Sequence, residues 1–94
     1  MSAHRTTVCV TNPEGLHARP ANRVAQLANR YEAQIWLVRD GIRINAKSLL
    51  GILTLACPSG TELLVEAEGP DAAEAVAAME VLFASGPNPD KEPE

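Results

Sequence analysis

Aromatic side chains are nearly missing from this chain, which holds only Tyr31, Trp36 and Phe83. Too few rings are present to stack a single nucleic-acid strand, and the interior must be built from Val, Leu, Ile and Ala. Positive charge is also short. Eight basic against twelve acidic residues give a formal net charge of −4. That excludes nucleic acid as a main partner, because such binding rests on clustered Lys and Arg neutralising phosphates. The two cysteines, Cys9 and Cys57, have neither metal-ligand spacing nor a disulfide-rich pattern, so they read as buried or edge thiols in a reducing compartment. No cluster of His, Cys, Asp or Glu has metal-ligand spacing, no glycine loop of the phosphate-binding type occurs, and no cofactor is implied. No stretch approaches a membrane span, and the opening residues lack the apolar core of a signal peptide. The expectation is a soluble, cytoplasmic protein without membrane insertion.

What is present suits one small domain. The 94 residues are 46% apolar, enough for one core but with little stability to spare. Residues 85–94, rich in proline and charge, read as a disordered C-terminal tail, leaving residues 1–84 as the domain. The first few residues, His4 included, read as frayed.

Alternation over residues 6–11, with Val8 and Val10 on one side, marks a strand. Val24, Leu27, Ala28 and Tyr31 recur at helical spacing and predict a helix over 18–31. Ile35 and Leu37 oppose Trp36 and Val38 in a second strand. Asp40-Gly41 is a hairpin turn, after which Ile42 and Ile44 begin a third strand. Ser48 caps a short apolar helix over 49–55. Glu62 to Ala67 alternates as a fourth strand. Asp71 and Glu74 have capping-box spacing before a last helix with Ala72, Ala75, Val76, Met79 and Phe83 on one stripe. The order is β-α-β-β-α-β-α. Alternating strands imply one covered face, so the fold is an α+β open-faced β-sandwich, a four-stranded antiparallel sheet with three helices on one face. Trp36 and Leu64 then fall on the open face, where Trp36 should be partly exposed.

Chemistry gathers in Gly15-Leu16-His17-Ala18-Arg19-Pro20-Ala21, where a loop becomes the first helix. Pro20 fits a first turn, whose amides have no intrahelical acceptor. His17 therefore stands at or beside the N-cap. The amides of Ala18 and Arg19 and the positive end of the helix dipole form an anion site next to its imidazole. Arg19 can grip phosphate oxygens in bidentate fashion. A neutral imidazole can attack phosphorus, and the surrounding positive potential then stabilises the dianionic product. From the residues alone, His17 as an exposed histidine and Arg19 as a solvated charge is an equal alternative.

This segment closely resembles the active-site motif of the HPr family, the histidine phosphocarriers of the bacterial phosphotransferase system. A second segment, Asn45-Ala46-Lys47-Ser48-Leu49-Leu50-Gly51, resembles the family's regulatory serine region at the expected separation, and the element order matches. The resemblance implies a carrier rather than an enzyme. His17 would accept a phosphoryl group on Nδ1 from enzyme I, itself charged by phosphoenolpyruvate, and donate it to an enzyme IIA domain. Arg19 and the backbone of Ala18 and Arg19 would hold the phosphate. Ser48 would be a target of an HPr kinase/phosphorylase. Leu49 and Leu50, at least one of them exposed, would dock partners, with Lys47 and Arg23 as rim charges. Gln26 and Asn29 stand where some relatives carry lysine, which weakens a basic docking face. Gly51 inside a short helix suggests close packing or a bend. A monomer is expected of a transiently docking protein. A regulatory member of the family, without sugar transport, is the alternative.

Overall fold

The computed structural model describes residues 3–85. Its elements run β1 (Ala3–Cys9), α1 (Ala18–Ala28), β2 (Gln34–Arg39), β3 (Ile42–Asn45), α2 (Leu49–Thr54), β4 (Glu62–Glu68) and α3 (Ala72–Ser85). The strands form one sheet in the order β1-β4-β2-β3, and each neighbouring pair is antiparallel. The expected order and open-faced sandwich are therefore observed.

Strand parity separates the two faces. Val8, Ile35, Leu37, Leu63, Val65 and Ala67 are buried on the helix side, against Phe83, Met79 and Ile52. Each large side chain removed from water there contributes about 1.5–3 kcal/mol. On the other face Trp36 is half-buried, as its register requires. The Arg43 guanidinium lies 3.8 Å from its ring centroid, a cation–π stack. Leu64 pairs directly with Val38 rather than with Trp36.

The β2–β3 turn is Asp40-Gly41, with φ of 51° and 81°, matching the twist of a two-residue hairpin. Two expectations need correction. His4 is not frayed: β1 starts at Ala3, with His4 opposite Ala67 and Arg5 opposite Glu66. Backbone pairing with β4 holds this polar segment without an apolar alternation to announce it. Helix α1 stops at Ala28, short of Tyr31, because Asn29 forms its C-cap. The Asn29 side-chain amide donates to the Ala25 carbonyl at 2.8 Å and to that of Lys47 at 3.1 Å. Ser85 closes α3, and the rest of the expected tail, 86–94, lies outside the described residues.

The Asp71 carboxylate accepts from the amides of Glu32 at 2.9 Å and Ala33 at 2.8 Å, clasping the α1–β2 loop. Gly69 makes the close approach possible. Its φ is +145°, and a β-carbon there would stand 2.7 Å from the Ala33 Cα. On the other side of the loop, the Lys47 ammonium donates to the Tyr31 carbonyl at 2.7 Å.

The Glu32 amide holds the Asp71 carboxyl below its usual range. Desolvation opposes it, while the amides of Ala33 and Asp71 and the charge of Lys47 add to it. A carboxyl whose folded-state pKa is depressed stabilises the fold above its unfolded value of about 3.8, and this is lost as pH falls through the lower folded value. Asp71→Asn should therefore be less stable than wild type at neutral pH. The gap should narrow as pH drops below about 4, as read by urea denaturation across that range.

Candidate functional site

The segment leading to His17 is fixed by backbone bonds to the turn after α2. Val10 accepts from the Gly60 amide at 2.7 Å and donates to the Thr61 carbonyl at 2.8 Å. Asn12 to Gly15 form a turn closed by the Gly15 amide on the Asn12 carbonyl at 2.9 Å. The buried Leu16 then donates its amide to the Cys57 carbonyl at 2.8 Å. Only glycine fits before it. Gly15 has φ of +77°, and a β-carbon would lie 2.4 Å from the Cys57 oxygen.

His17 is the N-cap of α1, with φ −81° and ψ −169°, and its side chain makes no capping hydrogen bond. Its carbonyl accepts from the Ala21 amide at 2.9 Å. A helix leaves its first-turn amides without an intrahelical acceptor; in α1 those ahead of Ala21 belong to Ala18 and Arg19, since proline has none. The imidazole is 41% exposed, and its Nε2 lies 3.7 Å from Oε1 of Glu14, itself 83% exposed. That is beyond hydrogen-bonding range. Arg19 is exposed in the same turn. The first turn of α1 contains no acidic residue.

Ser48 caps α2, as its sequence position predicts. Its Oγ accepts from the Gly51 amide at 3.0 Å. Close packing accounts for Gly51, where a β-carbon would meet Ser48 Oγ at 3.3 Å. Leu50 is 75% exposed while Leu49 is half-buried and Ile52 fully buried. Arg23 is half-buried. The half-buried Lys47 is held at the α1–β2 loop by its bond to Tyr31.

Arg39 escaped the sequence reading, and so did the part played by Cys57, which was expected only as a buried or edge thiol and is buried. Cys57 matters through its carbonyl. Its buried thiol is pushed up in pKa by desolvation, against the pull of Arg39. Arg39 donates from Nη1 to the carbonyls of Leu55 and Ala56, both at 2.8 Å. Its one sequence signal is parity, since it shares the core face with Ile35 and Leu37. Among the described residues, no group of three His, Cys, Asp or Glu is placed to hold a metal, and no helix is long and apolar enough to cross a membrane.

The molecule is an open-faced sandwich that displays a histidine at the mouth of a helix. The family model for the phosphotransferase system (PTS) HPr component phosphorylation site matches residues 4–85. The chain is 49% identical over 77 residues to the phosphocarrier protein HPr of Treponema pallidum, covering 82% of this chain and 88% of that one. The crystal structure of HPr from Bacillus anthracis superposes with a TM-score of 0.83 at 38% identity, covering 88% and 99% of the two chains. Bacillus subtilis Crh, a catabolite repression protein solved as a domain-swapped dimer, gives a TM-score of 0.72 at 37% identity over 80% of this chain and 86% of its own. The chain belongs to the HPr family of phosphocarrier proteins of the phosphotransferase system.

Two substitutions test the local geometry. Gly15→Ala should cost about 2 kcal/mol or more, since left-handed backbone and a backbone clash combine. Ser48→Ala should cost about 1 kcal/mol through loss of the cap. Both are read as unfolding free energies by chemical denaturation.

Proposed function

We propose that the protein carries a phosphoryl group on Nδ1 of His17, taking it from enzyme I and passing it to an enzyme IIA domain in sugar uptake. One observation carries this reading. His17 occupies an N-cap position, yet its ring is not spent on the cap and stays exposed to a partner. The choice of Nδ1 as the accepting nitrogen rests on the resemblance to the HPr family.

In the transfer, the Nδ1 lone pair attacks phosphorus. The N–P bond forms as the bond from phosphorus to the donor's leaving atom breaks, and that electron pair stays with the donor. Transfer to the next protein is the same step with the roles exchanged. The amides of Ala18 and Arg19 and the Arg19 guanidinium stabilise the dianion. The remaining machinery belongs to the partners, so the protein is a phosphotransfer intermediate rather than an enzyme, at work in the cytoplasm. Leu50 and the half-buried Leu49 supply an apolar contact for docking, with Arg23 and Lys47 at its rim.

Ser48 is the regulatory position of this reading. A phosphate added by an HPr kinase/phosphorylase would bring a charge of about −1.5 to −2 at neutral pH. It would stand beside the Leu49–Leu50 contact and repel an incoming phosphoenzyme. A second reading, a regulatory carrier without sugar transport, draws on the likeness to Crh.

Incubation with enzyme I and radiolabelled phosphoenolpyruvate should give an acid-labile label on the wild-type protein and only background on His17→Ala. Arg19→Ala should be labelled about 10-fold or more slowly. Chase of the label onto a sugar-specific IIA domain separates sugar uptake from the regulatory branch. A His17→Ala protein that still takes label overturns the assignment.

A further inference from the structure

Three consecutive carbonyls follow α2, and together they tie Arg39 to the acceptor loop. The oxygens of Leu55 and Ala56 accept from Arg39 Nη1. The third, on Cys57, accepts the Leu16 amide one residue before His17. We infer that Arg39 is a positioning residue for the phosphoryl acceptor, setting through this row of carbonyls where the 15–17 loop sits. The inference rests on the carrier role of His17 proposed above.

The geometry supports a stiff connection. Ala56 has φ of 51°, a left-handed conformation that a non-glycine residue adopts only when its surroundings impose it. Its amide donates to the Leu53 carbonyl at 3.2 Å, while its oxygen is held by Arg39. The peptide joining Ala56 to Cys57 is planar, so fixing the Ala56 carbonyl fixes the start of the next unit. Slack at the far end is small, because Gly15 rests against the Cys57 oxygen with no room for a methyl group. Displacement of that carbonyl passes to Leu16 and His17.

Arg39 is itself anchored. Its stem follows Ile35 and Leu37 on the core face of β2, its side chain is only 30% exposed, and its Nε lies 3.6 Å from Oδ2 of Asp40. Its Nη1 is engaged by two main-chain oxygens of its own fold. Its removal should therefore affect the placement of His17 more than the recognition of a partner.

Arg39→Met keeps the aliphatic stem and deletes the donors. With phosphorylated enzyme I as donor, its maximal rate of His17 labelling should fall about 10-fold, since ångström-scale misplacement has large effects on reacting groups. The KM for the donor should stay within about 2-fold. Arg39→Lys, which keeps a cation with N–H donors on a long stem, should recover to within about 3-fold of the wild-type rate. Hydrogen exchange of the Leu16 amide should accelerate about 10-fold in Arg39→Met while that of Val65 in β4 is unchanged. An unaltered maximal rate, a loss carried in KM, or an Arg39→Lys protein as slow as Arg39→Met overturns the inference. Wild-type protein that takes no label overturns the carrier reading itself, and this inference with it, a result distinct from those three.

Discussion

The hydrogen bond from the Leu16 amide to the Cys57 carbonyl is the contact on which the site depends. It joins two segments that share no secondary structure, the loop entering α1 and the turn leaving α2. Everything around it is arranged for a short approach. Gly15 lacks the side chain that would strike the Cys57 oxygen, and Leu16 is buried in the core below. With the residue before it held in this way, His17 meets the helix at a defined angle and its ring projects outward. A loop closed only by its own turn would leave the imidazole free to swing, and the helix amides could not be aimed at it.

Comparison of the two N-caps shows how one structural position serves two ends. Ser48 and His17 both have extended backbone conformations at the start of a helix. The Ser48 hydroxyl is consumed by the Gly51 amide, so α2 gains a stabilising cap worth about 1 kcal/mol. The His17 ring makes no such bond, and α1 forgoes that gain. On the proposed carrier role, helix stability is given up at the position that would receive the phosphoryl group. Long α1 tolerates the loss because Val24, Ala25 and Ala28 bury its inner face. Six-residue α2 has only Ile52 fully buried, and for it the cap matters more.

Much of this was legible in the chain. Strand alternation, the Asp40-Gly41 hairpin, the Ser48 cap and the Pro20 helix start are local signals, written within a few residues. The His17 segment was equally visible as a loop-to-helix junction. The parts that were not legible depend on partners distant in sequence. Arg5 and His4 are ordered by β4, more than sixty residues away. Asp71 has the spacing of a capping box, yet its carboxylate is drawn to two amides of the α1–β2 loop. Asn29 ends α1 early through a bond that also reaches Lys47. Arg39 shares its parity with Ile35 and Leu37, but nothing local shows that its guanidinium reaches the carbonyls of Leu55 and Ala56. Patterns of polarity reveal which face of an element is covered, but not which main-chain oxygen a long cation will find.

Electrostatics decides between a trap and a carrier. A phosphoryl group on His17 would feel the amino-terminal end of α1, worth about 0.3–1 kcal/mol at an exposed site and up to about 2 kcal/mol when partly buried. Against it stands Glu14, whose carboxylate is 83% exposed; a pair so open to solvent interacts by about 1 kcal/mol or less. These two effects are comparable, so the helix end alone does not lock the group in place, and the Arg19 guanidinium adds its hold in a solvent-exposed setting. A deep, dry phosphate pocket would hold the group more firmly and slow its departure. A shallow site at a helix mouth, with one acid nearby, suits a group that has to arrive and leave at similar cost, and the placement of Glu14 is consistent with that requirement.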